Sequence, residues 1–423
     1  MESASASPPS TSFLREHPDF ARFWVSRIAS ALAFQIQAVA AGWQVYALTH
    51  SPFALGMIGL AQFVPMVIST LPAGHAADRY NRKLICIVSL STQALALGML
   101  AFANWGDWLT VPRIFAAVIL IGAGRAFERP ANQSLMPMLV PESELPKAVA
   151  WATGGFQGAS IIGPALGGFL YAAGPAVPYA VAGALAMVAV LLIGSIRHQH
   201  PVGRREPTTL KSFFAGITFI RRQAVILGTI SLDLFAVLLG GATALLPAFA
   251  HDILHVGAWG LGALRSAPAI GSLAMSGYLI RRPLERHVGR KMFAAVLVFG
   301  LATIVFGLSR SFLLSLVALV FLGAADVVSV VVRSSLVQLR TPDAMRGRVN
   351  AVNALFIGTS NQLGEFESGI TAALFGTVGA TVFGGIGTIV VAFLWMRLFP
   401  ALRNYDRLKP AAAEESDAAP TAS

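Results

Sequence analysis

Twelve apolar stretches recur along the 423 residues of this chain, and their number and length limit what it can fold into. Each comes near the twenty residues that an α-helix needs to cross about 30 Å of hydrocarbon. The chain is 55% hydrophobic and 12% charged, whereas soluble domains carry about 25% charged residues. We therefore expect a polytopic membrane protein with spans at 22–47, 53–76, 84–103, 112–131, 148–172, 178–196, 217–248, 258–280, 291–308, 313–336, 349–375 and 378–399.

The basic residues indicate the orientation of these spans. The formal net charge is +11, from 31 Lys and Arg against 20 Asp and Glu. If both termini are cytoplasmic, Arg113 and Arg310 are the only basic residues in the outer loops, as the positive-inside rule requires. The excess charge therefore predicts a membrane topology with both termini inside, and no nucleic-acid partner.

No sequence motif for an enzyme accompanies the spans. The chain has no Walker loop, no nucleophile elbow and no dinucleotide fingerprint, and its eight His lack metal-ligand spacing. The single Cys, Cys86, excludes an intrachain disulfide. We therefore expect no enzymatic activity, no cofactor and no metal. Residues 1–20 are expected to be a disordered cytoplasmic N-terminus, and 401–423 a cytoplasmic tail whose composition is similar after about Lys409.

The chain divides into two halves of six spans. The longest inner segment, RHQHPVGRREPTTLK, separates an N-terminal half at 21–196 from a C-terminal half at 214–400, with a cytoplasmic linker at 197–213. The pair Arg82-Lys83 recurs as Arg290-Lys291, and Pro141 aligns with Pro342. Parallel six-helix repeats with a substrate site between them are a known transporter architecture. The expected fold is all-α, with twelve transmembrane helices in two pseudo-symmetric halves.

The loop between spans 2 and 3 reads GHAADRYNRK and contains Gly74, Asp78, Arg79, Arg82 and Lys83. It resembles the signature loop of the major facilitator superfamily, Gly-x-x-x-Asp-Arg-x-x-Arg-Lys, with Asn81 where a Gly is usual. Gly74 is expected to permit close helix packing, and Asp78 to lie at the positive end of the next helix. The resemblance implies a gating loop that latches the halves on the cytoplasmic side; a topology anchor alone is the alternative.

Span 5 contains a second motif, made of Gly163, Pro164, Gly167 and Gly168. It resembles the Gly-Pro pattern of antiporters in this superfamily, which implies export rather than import. Pro164 removes one backbone hydrogen bond, so the helix can bend there; ordinary close packing is the alternative. The run Arg-Ala-Phe-Glu-Arg-Pro at 125–130 and SNQLGEFESG at 360–369 are similar to the bacterial branch of enterobactin-exporter-like efflux proteins.

Five acids lie within the predicted spans, where charged side chains are functional candidates by default; Glu128 has basic neighbours in its own span, and the other four are considered first. Asp233 and Asp326 are near mid-depth, and Asp326 is two helical turns before Arg333 on the same face, so we expect a partial ion pair between these two. Glu365 and Glu367 point about 200° apart on one helix. We expect Glu365 to face the transport path and Glu367 to face a neighbouring helix. Asp233, Glu365 and Asp326 are the candidates for proton coupling; partners on other helices are the alternative.

Other polar residues within the spans divide into structural and substrate-binding candidates. Arg125 and Glu128 are three residues apart, so they can meet on one helix face, and an ion pair is expected there. With Arg129 and Arg333 they form a predicted structural charge cluster. Arg27 is expected to snorkel to the interface. The candidates for lining the cavity or binding substrate are Gln35, Gln37, Arg265, Asn361 and Glu367.

These observations favour a secondary active exporter of a small organic molecule, siderophore-like or drug-like. The expected mechanism is proton antiport by alternating access, in a monomer in the bacterial inner membrane. Its expected partners are the lipid bilayer, the solute and protons. A facilitator or proton-symport importer remains an alternative, as does a transport-inactive receptor or assembly partner.

Overall fold

The computed structural model describes residues 12–197 and 210–408, which form helices and connecting turns without any strand. The helices of the first half follow the predicted spans. They are α1 (Ser12–Glu16), α2 (Pro18–Thr49), α3 (Pro52–Arg79), α4 (Arg82–Trp105), α5 (Val111–Leu135), α6 (Leu145–Ala172) and α7 (Val177–Gly194).

The second half begins with a span broken into pieces. Predicted span 7 corresponds to α8 (Leu210–Arg222), α9 (Ala224–Leu239), a 3₁₀ turn (Ala242–Leu245), α10 (Leu246–Ala248) and a π-helical turn (Phe249–Ile253). The remaining helices are α11 (Ala258–Arg281), α12 (Val288–Leu308), α13 (Phe312–Arg340), α14 (Asp343–Leu398) and α15 (Pro400–Arg403).

Eight stretches of the described residues are each long and apolar enough to cross a membrane. One of them, Met345–Leu398, has 54 residues and is too long for a single crossing. Within it Gly376 has a φ of 76°, which glycine adopts without steric cost, and this kink separates predicted spans 11 and 12. Predicted spans 4, 5 and 8 correspond to α5, α6 and α11.

The first compact unit comprises Met1–Leu48, Ala61–Pro207 and Gly257–Ser266. Its core lies where α4 packs against α5 and α7. Phe20 and Phe23 of α2 are fully buried there together with Leu135 and Ile193. Large apolar side chains thus fill the end of the unit that contains the start of α2 and the end of α5.

The second compact unit comprises Thr49–Leu60, Thr208–Val256 and Ala267–Ser423. In it α12 packs against α13 and α14, and α9 packs against α14. Val288, Phe293 and Leu336 are buried in its main core cluster. The units therefore differ from the two sequence halves, because the first turns of α3 belong to the second unit and those of α11 to the first.

Parts of the predicted disordered N-terminus and of the predicted C-terminal tail form helices. Residues 12–16 form α1 and α2 begins at Pro18, because Phe13 and Phe20 bury their rings in the core. After α14, Leu402 and Tyr405 are buried in the second unit. The expectation of disorder was therefore wrong for residues 12–20. Residues 1–11, most of the predicted linker (198–209) and residues 409–423 lie outside the described residues.

Candidate transport site

A buried ion pair joins α9 to α13 in the second unit. The Nη1 of Arg333 contacts the Oδ2 of Asp233. Arg333 is 5% exposed and Asp233 is 6% exposed. Because removing one member would leave the other charge buried and unpaired, each holds its partner in the helix bundle. Asp233 therefore has a charged partner that lies on another helix.

Asp326 lies beside this ion pair but does not take part in it. We expected Asp326 to pair partly with Arg333 on its own helix; Arg333 instead binds Asp233. Among the described residues, no side chain or backbone group forms a hydrogen bond or ion pair with Asp326. Asp326 lines a cavity of about 20 Å³ with Asp233, Phe299 and Ser329, which has room for about one water molecule. A carboxyl group here can exchange a proton without breaking a bond to another side chain.

The two acids of α14 have different surroundings from those we expected. Glu365 lies against α3: a Cβ added to Gly59 would be 2.7 Å from the Glu365 Oε2. Glu367 accepts a hydrogen bond of 2.7 Å from Thr371 Oγ1, one turn further along its own helix. Glu365, which we expected to face the transport path, thus contacts a neighbouring helix, and the hydrogen bonds of Glu367 are to its own helix. Asn361, on the same helix, is exposed.

Two polar side chains of α2 show how tightly the first unit is packed. Gln35 lies against the Gly-Pro motif, since a Cβ on Gly163 would be 2.6 Å from the Gln35 Cβ. Gln37 is 1% exposed, and neither its Oε1 nor its Nε2 has a hydrogen-bond partner in the described part of the chain. An unpaired buried amide costs about 1–3 kcal/mol. Arg265 lies on α11 and is half-buried.

The Gly-Pro motif forms a packing surface with two sides. A Cβ on Gly167 would be 3.0 Å from the Ile36 carbonyl oxygen of α2. A Cβ on Gly168 would be 3.0 Å from the Trp259 Cα at the start of α11, and one on Gly262 would be 3.2 Å from the Ala165 Cα. Helix α6 thus touches backbone on both sides, and Pro164 lies inside the helix. The geometry fits close packing and leaves the hinge as a prediction.

The signature loop is held by polar bonds inside the first unit. Lys83 Nζ donates to the Ile196 carbonyl at 2.8 Å, and Arg82 contacts the Met138 Sδ. Asn81, which replaces the usual Gly, caps α4 by accepting from the backbone N–H of Lys83 at 3.0 Å. Arg79 is exposed, and the side chain of Asp78 lies outside the described part of the structure.

Gly74 does not have the surroundings that we expected for it. A Cβ added there would meet no atom of the described residues within 4 Å, so no described helix packs against this position. The prediction of close helix approach at Gly74 is therefore wrong for this state. The loop stays a candidate latch, because a latch makes its closest contacts only when it is engaged.

The predicted ion pair between Arg125 and Glu128 is not formed. Glu128 is 6% exposed and accepts hydrogen bonds from three neutral side chains: Ser30 at 2.9 Å, Gln93 at 2.8 Å and Asn132 at 3.2 Å. The guanidinium of Arg125 lies over the Phe34 ring, 3.7 Å from its centroid. The Glu128 carboxylate is thus bonded by neutral donors, and the Arg125 guanidinium makes a cation–π contact with Phe34 instead of an ion pair.

A cluster that sequence reasoning missed lies at the far end of α2. His50, His251 and Asp252 bring their potential ligand atoms within 4.8 Å of one another, and the His251 Nδ1 is 2.6 Å from an Asp252 Oδ1. Because about two hundred residues separate His50 from the other two, no local spacing signals their proximity. The donors around Glu128 were missed similarly, although Asn132 follows it by four residues, one helical turn.

A family model described as "Transmembrane secretion effector" matches residues 10–420, which is nearly the whole chain. The chain belongs to this family. The family is a branch of the major facilitator superfamily, as the signature loop indicated.

Relatives of known name resemble the chain over most of its length. It is 28% identical over 407 residues to the enterobactin exporter EntS of Citrobacter koseri, covering 94% of this chain and 96% of the relative. It is 26% identical, with the same coverage, to the enterobactin exporter EntS of Escherichia coli O1:K1.

Solved structures share the fold at lower identity. The nucleoside transporter NupG superposes with a TM-score of 0.67 at 15% identity, over 92% of this chain and 99% of that one. A bacterial homologue of the human lysosomal transporter Spinster has a TM-score of 0.70 at 13% identity, over 93% and 97%. The protein is thus a membrane-embedded transporter of the major facilitator fold and not an enzyme.

Proposed function

We propose that this protein exports a small organic molecule, siderophore-like or drug-like, in exchange for protons. The observation that carries this proposal is the full-length similarity to proteins named enterobactin exporters, within a family described as secretion effectors. The Gly-Pro motif of α6 supports the direction, because the resembling pattern belongs to antiporters. The solute itself is proposed by analogy, since relatives that share a scaffold differ in their cavities.

Proton coupling is supported by the geometry around Asp326. This carboxyl group shares a small cavity with Asp233, whose charge is balanced by Arg333. Gain of a proton by Asp326 changes the charge of the cavity by one unit beside that ion pair. Intramembrane acids of this kind mark proton pathways. We assign the exchangeable proton to Asp326 first and to Asp233 second, because the Asp233 carboxylate is engaged by a cation.

Alternating access requires helices that can slide or separate at close contacts. Within the second unit, a Cβ on Gly56 of α3 would be 2.9 Å from the Gly369 Cα of α14. Within the first unit, Gly168 and Gly262 bring α6 and α11 together in the same way. Glycine contacts hold helices by dispersion alone, without bonds that must break. They suit helices that open and close in each transport cycle.

The test uses inverted membrane vesicles energised by respiration, with a fluorescent reporter of internal acidification. A catecholate siderophore and a panel of cationic and neutral drugs are added to vesicles with wild-type protein or the Asp326→Asn, Asp233→Asn and Glu365→Gln variants. Compound-dependent proton release in the wild type, lost in Asp326→Asn, supports the proposal. The matched control is Glu142→Gln, an exposed acid outside the spans, which should behave like the wild type.

Two results would overturn parts of the proposal. Full activity of the Asp326, Asp233 and Glu365 variants would remove the proton assignment. Solute uptake, not extrusion, that follows an imposed proton gradient in right-side-out vesicles would identify an importer. Each variant is first shown to be folded by gel filtration and by its melting temperature.

A further inference from the structure

Three arginines of the first unit face one cavity without an acid to pair with. The cavity, called here the arginine cavity, measures about 290 Å³ and is lined by Arg27, Arg125, Arg129, Glu128, Asn132 and Phe156, among others. No carboxylate in the described part of the chain lies within 4.0 Å of any of the three guanidinium groups. Three cations against the single carboxylate of Glu128 leave this cavity with an excess of positive charge.

The carboxylate of Glu128 accepts hydrogen bonds from three neutral side chains. Its Oε1 accepts from Ser30 and Asn132, and its Oε2 accepts from Gln93. Three bonds fill most of the positions at which a carboxylate accepts hydrogen bonds. Glu128 is thereby held in one orientation and contributes charge, but no direct bond, to the arginines around it.

Among the described residues, two of the three arginines, Arg27 and Arg125, make cation–π contacts, and these leave their N–H groups available. Arg125 lies on the Phe34 face at 3.7 Å and Arg27 lies 5.9 Å from the Phe23 centroid. Arg129 is exposed and forms no bond to another described residue. Stacking uses the face of a guanidinium, while its edge carries five donors that match a carboxylate or phosphate. One carboxylate, already bonded to neutral donors, faces three cations in this cavity, so a further anion stabilises the arrangement.

We propose that the arginine cavity binds an anionic group of an organic solute, with an aromatic carboxylate as its simplest form. Phe156 is 48% exposed and lines the same cavity, so it offers an aromatic face beside the three cations. The volume is near the lower end of the range for ligand pockets, about 300–1,000 Å³, which suits one ring with one acidic group. A larger solute places one anionic arm there.

This inference rests on the proposed function, because it names the charge of the transported solute. The same chemistry is offered by the headgroup of an anionic lipid, which is a second source of the anion. The solute and the lipid headgroup each carry a negatively charged oxygen that can accept hydrogen bonds from the edge of a guanidinium group. The experiment therefore compares a soluble anion in bilayers with and without anionic lipid.

The probe is radiolabelled salicylate, and binding is measured by scintillation proximity on the full chain in nanodiscs of phosphatidylcholine. Wild-type protein should bind it saturably. Arg125→Gln and Arg129→Gln should each weaken binding by at least about tenfold, the effect of losing a charge-assisted hydrogen bond. Arg125→Lys keeps the charge but loses the fork of N–H donors. Its affinity for salicylate should lie between that of the two Gln variants and that of the wild type.

The matched control is Arg113→Gln on the same helix, α5. Arg113 lies at the opposite end, where it contacts the Trp108 ring and carbonyl. This variant should bind salicylate as tightly as the wild type. Arg129 is exposed, so Arg129→Gln tests the cavity even if the half-buried Arg125 is needed for folding.

Nanodiscs containing phosphatidylglycerol separate the two sources of the anion. If lipid headgroups occupy the cavity, salicylate binds more weakly in these discs, and Arg129→Gln removes the difference. If affinity is equal in both lipids, the cavity serves the solute. Absence of saturable binding below about 1 mM in phosphatidylcholine, or equal affinity in all variants, would overturn the inference.

The binding result and the transport result fail separately. Compound-dependent proton release without salicylate binding would contradict only the anion-binding role of the arginine cavity and would leave the proposed export intact. Salicylate binding without flux of any compound would remove the proposed export and leave the cavity as an anion site.

Discussion

Arg333 of α13 pairs with Asp233 of α9 inside the second unit, while Asp326, two turns before Arg333 on the same helix, stays out of the pair. The arrangement separates two acids that look alike in sequence. Asp233 has a structural bond to lose, whereas Asp326 has none among the described residues. Substitutions of the two should therefore differ in their effect on stability.

We expect Asp233→Asn and Arg333→Gln to destabilise the protein strongly, by about 3–5 kcal/mol each, because each leaves a buried charge unpaired. Asp233→Asn combined with Arg333→Gln should recover most of that loss, since no net charge is left buried. Asp326→Asn should change stability little. Thermal unfolding in detergent, followed by tryptophan fluorescence, measures all four. Additive losses in the double variant would show that the two residues act independently.

Glycine positions on α3 should respond oppositely to alanine. At Gly59 a Cβ would be 2.7 Å from the Glu365 Cβ and 3.2 Å from the Gln362 carbonyl oxygen, so Gly59→Ala should destabilise by about 1–3 kcal/mol. At Gly74 a Cβ meets nothing, so Gly74→Ala should stabilise by about 0.5–1 kcal/mol through helix propensity.

Transport distinguishes the two readings of Gly74. If the signature loop is a latch that closes on Gly74 in another state, Gly74→Ala should lower transport while raising the melting temperature. A topology anchor alone predicts the higher melting temperature with transport unchanged. Both are measured on the same vesicles and the same purified protein.

Asn81 caps α4 in the place where the superfamily usually has glycine. Asn81→Ala removes the bonds from its Oδ1 to the N–H groups of Lys83 and Leu84 and should cost about 1 kcal/mol. Asn81→Gly should cost only a few tenths, since glycine is itself a tolerated cap. Equal melting temperatures for the two variants would contradict a capping role.

The stability of the first unit should depend on Glu144 in acid. The hydrogen bond to His17, 2.5 Å from Nε2 to Oε2, holds the pKa of Glu144 below its usual value. A carboxyl group whose pKa is lowered by folding stabilises the fold at any pH above its pKa in the unfolded chain, near 4.3. This contribution disappears as the pH falls through the pKa of the group in the folded protein. Glu144→Gln should therefore melt below the wild type at pH 7.

The difference in melting temperature between Glu144→Gln and the wild type should shrink toward zero in acid, at a pH below the folded pKa of Glu144. Glu142→Gln, at an exposed neighbouring acid with no described hydrogen bond from its side chain, is the control and should match the wild type at both pH values. A difference that stays constant with pH would mean that shape, not charge, holds His17 against Glu144.

Apolar runs predicted where most of the long helices lie, because lipid requires every backbone group to bond within its own helix. The two-residue gap between predicted spans 11 and 12 even coincides with the kink at Gly376. Span 7 was less readable: its pattern does not reveal the break at Gln223 or the π-helical turn at Phe249. Breaks of this kind depend on tertiary packing, which a local pattern does not contain.

Side-chain partners were the part that sequence spacing failed to predict. Arg125 and Glu128 have ideal spacing, yet Glu128 is bonded by Ser30 and Gln93 from other helices. Arg333 is likewise bound across the bundle and not along its helix. Inside a membrane a polar side chain can bond to a residue nearby in sequence or to one on a neighbouring helix. Sequence spacing does not indicate which of these partners it takes.

The burial of Phe13 and Phe20 affects the order in which this chain is assembled. Both rings pack in a cluster that includes Leu139 and Ile193, which the ribosome adds much later. At about 5–20 residues per second, the start of the chain waits roughly 10–40 s for these partners. During that interval the earliest synthesised aromatic residues have no completed core to enter. A nascent chain released before its sixth span therefore exposes its own beginning to chaperones and proteases.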